Sequence, residues 1–171
     1  MSTTETVLRA TAQSLAARVT DPEMPMLTLE DLGVLRDVEV DERGDVVVTI
    51  TPTYSGCPAM ATMRDDLVHT LRDKGFDHVR VKVSLDPAWS SDWITERGRA
   101  ALTAHGISAP GPAPRGDGPV LLTLMPRRRL LSCPRCGSEH VDLTSEFGTT
   151  ACKAIYRCAQ CLEPFEHVKE I

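Results

Sequence analysis

The sequence predicts an α+β fold: a small α/β sandwich with a short mixed sheet and helices, followed by a C-terminal cysteine-rich module. Three observations carry that prediction. Apolar residues recur at helical and then at strand spacing through the N-terminal half. The stretch Ser108 to Pro119, SAPGPAPRGDGP, holds four prolines and three glycines and interrupts all periodicity, as linkers and long exposed loops do. Five of the six cysteines lie in the last 39 residues, and Cys57 stands alone before them. The expected organisation is therefore residues 1–107 as the α/β domain, 108–119 as the linker and 120–171 as the cysteine module.

Each element follows from local chemistry. Ser2 with Glu5 three residues later reads as a capping box, and Leu8, Ala12, Leu15 and Val19 recur at helical spacing, so a first helix is predicted over about Thr4 to Val19. The segment Asp21-Pro22-Glu23-Met24-Pro25 ends it in a rigid turn, because two prolines fix their own dihedrals and disfavour helix in the residues before them. Val34 to Val40 and Asp45 to Thr51, joined by turn residues around Gly44, read as a hairpin. Met60, Met63, Leu67 and Leu71 mark one face of a helix over Ala59 to Lys74, stopped by Gly75. His78 to Leu85 alternates cleanly as a strand, which a right-handed crossover places parallel to the second hairpin strand. A last helix is predicted from Asp92 to His105 with Ser90 or Ser91 as its cap. Val120 to Met125 could add a strand before the cysteines.

Composition excludes several classes. With 171 residues, 42% of them hydrophobic, and a net charge of −5, the chain has enough apolar material for one real core. No apolar run approaches the roughly 20 residues needed to span a bilayer, and the N-terminus lacks signal-peptide chemistry, so the expected location is the cytoplasm and no membrane partner is expected. Seven aromatic residues are too few for a base-stacking platform. Residues 1–105 carry 11 basic and 17 acidic side chains, and 106–171 carry 8 and 7. Neither part is a polyanion surface, the Arg127–Arg129 triplet included, so no nucleic-acid partner is expected.

The chemistry is in the cysteines. Cys133, Cys136, Cys158 and Cys161 form a C-x2-C-x21-C-x2-C array. Each pair suits a tight knuckle that aims two thiolates at one ion, and two knuckles complete a tetrahedral sulfur shell. Four thiolates leave no open coordination position, so the expected cofactor is a structural zinc in a zinc-ribbon-like module, with a rubredoxin-type iron site as the alternative. Cys152 is the odd thiol of that module, either a small buried residue or a thiolate activated by Lys153. Cys57, in Tyr54-Ser55-Gly56-Cys57-Pro58, lies after a strand and at a predicted helix N-terminus, where N–H groups would favour a thiolate; a structural cysteine is the competing reading. The five histidines and the paired carboxylates Asp65-Asp66 and Asp41-Glu42 match no catalytic motif, and no phosphate-binding glycine loop is present. A free-standing enzyme is not expected.

These residues carry a resemblance. Asp21 to Pro25, Val46 to Thr51 and Tyr54 to Pro58 before a Met-rich helix resemble the α/β domain of cytosolic iron-sulfur assembly and targeting factors. The tail, Cys133-Pro134-Arg135-Cys136-Gly137-Ser138, Ser145 to Ala154 and Tyr156 to Phe165, resembles the PaaD family, the D component of the bacterial phenylacetyl-CoA epoxidase system. The resemblance implies an accessory protein of aerobic phenylacetate degradation, which assists iron-sulfur cluster assembly on the flavin and iron-sulfur reductase of the epoxidase. Cys57 matches the family's functional loop cysteine. On this reading Cys57, with Cys152 as a second candidate, holds a transient iron-sulfur cluster, and a homodimer could supply four thiols. The alternative is a noncatalytic structural subunit bound to the oxygenase subunits.

Overall fold

The computed structural model describes residues 3–114 and 131–171. The expected Ser2 cap, the Val120–Met125 strand and the Arg127–Arg129 triplet lie outside the described residues. The chain divides into two compact units, the first ending at Ala101 and the second beginning at Leu102.

The first unit runs α1 (Thr3–Ala16), β1 (Leu35–Val40), β2 (Val46–Ile50), α2 (Met60–Arg72), β3 (Val79–Val83), and then α3 (Glu96–Ala104), whose last turn passes into the second unit. β1 and β2 pair antiparallel, β2 and β3 parallel, and the sheet order is β1-β2-β3. The α+β class and the mixed sheet are as the periodicity predicts. Val46, Val48 and Ile50 alternate inward on β2, and Met63, Leu67 and Leu71 of α2 are buried, so the two periods of the sequence define two faces of one core. Leu27, Leu29, Leu32 and Val34 fill the rest of that core from the segment between α1 and β1.

The turn after α1 is stiffened by more than its prolines. The buried Asp21 carboxylate accepts from the N–H groups of Glu23 (2.8 Å) and Met24 (2.7 Å), the local Asx geometry that lets an acidic side chain replace a backbone partner. Asp41 does the same in the hairpin, accepting from Arg43 and Asp45 N–H at 2.9 and 2.8 Å, with Gly44 at φ 83°.

The last predicted helix is in fact two elements. Ser90 caps a 3₁₀ turn over Ser91–Trp93, Ile94 is extended, and α3 starts afresh with Thr95, whose hydroxyl accepts from Gly98 N–H at 3.0 Å. Tertiary contacts enforce the break. Ile94 is buried, and Trp93 lies under the Arg36 guanidinium, 3.6 Å from the ring centroid. Thr95 and Arg97 converge on the buried Asp31, donating from Oγ1 at 2.8 Å and Nε at 2.7 Å, with Thr28 Oγ1 at 2.9 Å. Burial opposes the Asp31 charge, but Arg97 and the threonine hydroxyls outweigh it and hold the carboxyl below the usual carboxylate range.

The second unit carries a meander of β4 (Val141–Ser145), β5 (Lys153–Cys158) and β6 (Pro164–Val168), antiparallel throughout. Ser108, expected to open the linker, pairs with β6: its N–H donates to Glu166 O at 2.8 Å and its C=O accepts from Val168 N–H at 3.0 Å. His167 is wholly buried behind it, with Nδ1 3.1 Å from Ser108 Oγ and Nε2 donating to Glu170 Oε1 at 3.0 Å. Burial works against the Glu170 charge, yet the bonds from His167 and the Gly111 N–H hold its carboxyl down to about 2. A depressed carboxyl stabilises the fold fully above its ordinary value, and that stability is lost as pH falls toward 2. Glu170→Gln is therefore expected to lower stability at pH 7 by about 2 kcal/mol, read as a drop in the melting temperature of the metal-loaded chain; an unchanged melt would show that the charge contributes nothing.

Candidate metal centre and loop thiol

The 21 residues between the two cysteine pairs fold back as the β4–β5 hairpin, which returns Cys158 beside Cys133 and Cys136. All four sulfurs of Cys133, Cys136, Cys158 and Cys161 lie within 4.8 Å of one another, with Cys133–Cys161 at 3.7 Å and Cys136–Cys158 at 3.6 Å. A tetrahedral ion with metal–sulfur bonds of about 2.3 Å sets its sulfurs about 3.8 Å apart, so the donor set fits one metal ion closely.

The two knuckles are built alike. Gly137 N–H donates to Cys133 O at 2.9 Å, and Leu162 N–H donates to Cys158 O at 3.0 Å. Both fourth-position residues are left-handed, Gly137 at φ 74° and Leu162 at φ 64°. Glycine takes that conformation freely, whereas leucine resists it. Since Leu162 is 60% exposed and loses little packing, Leu162→Gly is expected to stabilise the metal-loaded unit by about 1 kcal/mol, checked by thermal melting; a destabilised variant would refute the strain argument.

The electrostatics of the cluster are those of a thiolate nest. The Cys161 and Gln160 N–H groups aimed at Cys158, with help from neighbouring thiols, bring its thiol down to about 6. Cys161, despite an N–H from Glu163, is pushed up to about 12 by burial and by the surrounding sulfurs. Four sulfurs this close cannot all ionise without a cation among them. Around them pack Leu131, Ala154, Tyr156 and Phe165, with the Tyr156 and Phe165 rings stacked at 6.0 Å.

Cys152 is in the same unit but outside the cluster. It is buried, with Sγ 3.1 Å from Thr150 Oγ1. Lys153, its sequence neighbour, is itself buried and turns to Glu166, Nζ to Oε2 at 2.8 Å. Glu166 also accepts from Thr149 N–H and Oγ1 at 3.0 and 2.9 Å, so that ammonium is already neutralised by a fully bonded carboxylate. Sequence reasoning missed the pair, although it lies diagonally across β5 and β6, a register that alternation alone could have proposed.

Cys57 is in the first unit, half-buried, in the loop between β2 and α2. Its N–H donates to Tyr54 O at 3.2 Å and its C=O accepts from Met60 N–H at 3.4 Å, so the thiol sits on the turn that starts α2. Ala59 at the helix start provides no side-chain cap.

The chain is 43% identical over 156 residues to an Escherichia coli K12 protein named as the D component of a 1,2-phenylacetyl-CoA epoxidase, covering 91% of this chain and 89% of that one. This chain belongs to the same family. Residues 119–169 match the family described as PaaD zinc beta ribbon domain, and residues 15–85 match the one described as iron-sulfur cluster assembly protein. The phenylacetyl-CoA epoxidase D family thus joins a four-cysteine ribbon to a domain shared with other proteins. One is a Porphyromonas gingivalis chain named Fe-S protein maturation auxiliary factor, 33% identical over 49% of this chain and 80% of its own. The crystal structure of the domain of unknown function DUF59 from Bacillus anthracis has a TM-score of 0.54 and 26% identity over 58% of this chain and 94% of that one, which supports the mixed-sheet fold. Among the described residues, no helix is long and apolar enough to cross a membrane.

Proposed function

We propose that this D-family chain is an accessory maturation factor of aerobic phenylacetate degradation, assisting assembly of the [2Fe-2S] cluster on the reductase component of the phenylacetyl-CoA epoxidase. The observation that carries the reading is the union, on one chain, of an iron-sulfur assembly-type domain and the ribbon particular to the epoxidase D family. The ribbon holds zinc through Cys133, Cys136, Cys158 and Cys161. Four thiolates saturate it, so it shapes the unit and takes no part in cluster exchange. Cys57 is the thiol offered to the cluster in transit. It is half-buried on the turn that opens α2. Cys152, buried against Thr150, serves packing. One thiol per chain cannot complete a cluster site, so the remaining ligands come from the reductase or from a second copy. Reduced thiols fit the cytoplasm.

Cys57→Ala is expected to lower the iron and acid-labile sulfide per flavin in reductase purified from cells several-fold, with the zinc of the D-family chain unchanged. An unchanged cluster content would end the carrier reading. The name of the Escherichia coli relative favours one alternative, a noncatalytic component that stays in the epoxidase complex. Stoichiometric co-elution with the oxygenase subunits, insensitive to Cys57→Ala, would support that alternative.

A further inference from the structure

The two edges of the first sheet differ. On β1 the outward groups of Val38 are both taken: its N–H donates to Asp37 Oδ1 at 2.9 Å and its C=O accepts from Arg9 Nε at 2.9 Å. A bulge between Leu35 and Asp37 further distorts that edge. Such devices close a strand to further pairing. β3 has none of them. His78 O accepts from Val46 N–H and Ser84 N–H donates to Ile50 O, so the even-numbered residues of β3 face β2 and the N–H and C=O groups of Val79, Val81 and Val83 point outward. Among the described residues nothing bonds to them.

The side chains along that edge state what would fit. Val79, Val81 and Val83 continue the inner face of β2, yet Val83 is 45% exposed where its cross-strand partner Ile50 is wholly buried. The inner face therefore lacks one more apolar row. A groove of about 430 Å³ between α2 and β3 continues it, lined by Ala61, Val68, Val79 and Val81 together with Arg64, Arg80 and one carboxylate, Asp65. On the outer face, Arg80 and Lys82 are exposed. Neither they nor Arg64 enters an ion pair among the described residues, although residues 1–105 carry net negative charge.

We propose that β3 is a docking edge for an extended partner segment that alternates β-branched apolar and acidic residues, added as a fourth strand. Its backbone would satisfy Val79, Val81 and Val83, its apolar side chains would cover the exposed inner row, and its carboxylates, on the opposite face, would meet Arg80 and Lys82. A second copy of this chain fits poorly, because β3 against β3 would set Arg80 and Lys82 beside their own like charges. The inference deepens the maturation reading and rests on it only for which protein supplies the segment.

The test is a titration of the full metal-loaded chain with a blocked, labelled seven-residue peptide alternating Glu and Val, against the same peptide with Lys for Glu. Binding of the Glu peptide at least about tenfold tighter, weakened by salt, with the amides of Val79, Val81 and Val83 newly protected from exchange, is the expected result. The exposed double variant Arg80→Glu with Lys82→Glu should invert the preference. Equal binding of both peptides, no binding at millimolar concentration, or protection elsewhere would overturn the proposal. Concentration-dependent protection of β3 without peptide would also overturn it, in favour of self-association. A failed titration alongside Cys57-dependent cluster content would sink the docking edge alone, and the reverse pair of results would sink the maturation reading alone.

Discussion

Cys158→Ala, or removal of the metal by a chelator, is expected to abolish stoichiometric metal binding and to collapse the β4–β6 sheet. The reason is the smallness of its core. The cluster of buried residues that holds the meander is Leu131, Cys133, Ala154, Tyr156, Cys158 and Phe165, and two of these six belong to the four-cysteine cluster. So little apolar surface cannot offset the conformational entropy of the chain it orders. A four-thiolate zinc site supplies on the order of 10 kcal/mol or more to modules of this size, which makes metal binding and folding one event. Without the ion, the sulfurs at 3.6–3.7 Å also lose the cation that lets them ionise together. The measurement is metal per chain together with the amide dispersion of β4, β5 and β6. Cys152→Ala is the control, since that thiol is buried in the same unit but outside the cluster: it should keep the metal. A chelated chain with native β4–β6 shifts would refute the account.

Gly33→Ala is expected to be the most damaging single-methyl change in the first unit. Gly33 turns the chain into β1 at φ 69°, a conformation that resists any side chain. A Cβ there would also lie 2.5 Å from Trp93 Cβ and 2.8 Å from Trp93 O. The backbone oxygen cannot swing away, and Trp93 is held under Arg36. Backbone strain and overpacking together should remove about 3 kcal/mol or more, a large share of the stability of an ordinary domain. Gly44→Ala isolates the first contribution, because Gly44 has φ 83° but nothing within 4 Å of an added Cβ. It should lose only about 1 kcal/mol. Equal melting temperatures for the two variants would show that the approach to Trp93 is unimportant.

Much of the architecture was legible in the residues because it depends on properties that repeat along one segment. The buried positions Met63, Leu67 and Leu71 and the inward row Val46, Val48 and Ile50 are periodic, and periodicity survives averaging over a segment. The convergence of the four cysteines was legible for a related reason: a C-x2-C knuckle is local, and two of them have few ways to meet other than around one ion.

Tertiary structure decided everything that depends on one side chain finding one distant partner. No pattern pairs Asp31 with Thr95 and Arg97, which are more than sixty residues away, and that pairing helps to break the expected long helix at Ile94. Lys153, which the sequence left as one of two alternatives for the setting of Cys152, belongs to Glu166 instead. The contrast between a β1 edge closed by Arg9 and Asp37 and a β3 edge unpaired among the described residues is likewise invisible in the strand pattern. Burial periodicity is a property of a segment and is written in the sequence. A salt bridge, a cap or a free edge is a property of the space between segments, and its partner is fixed only once hydrophobic packing has placed the backbones.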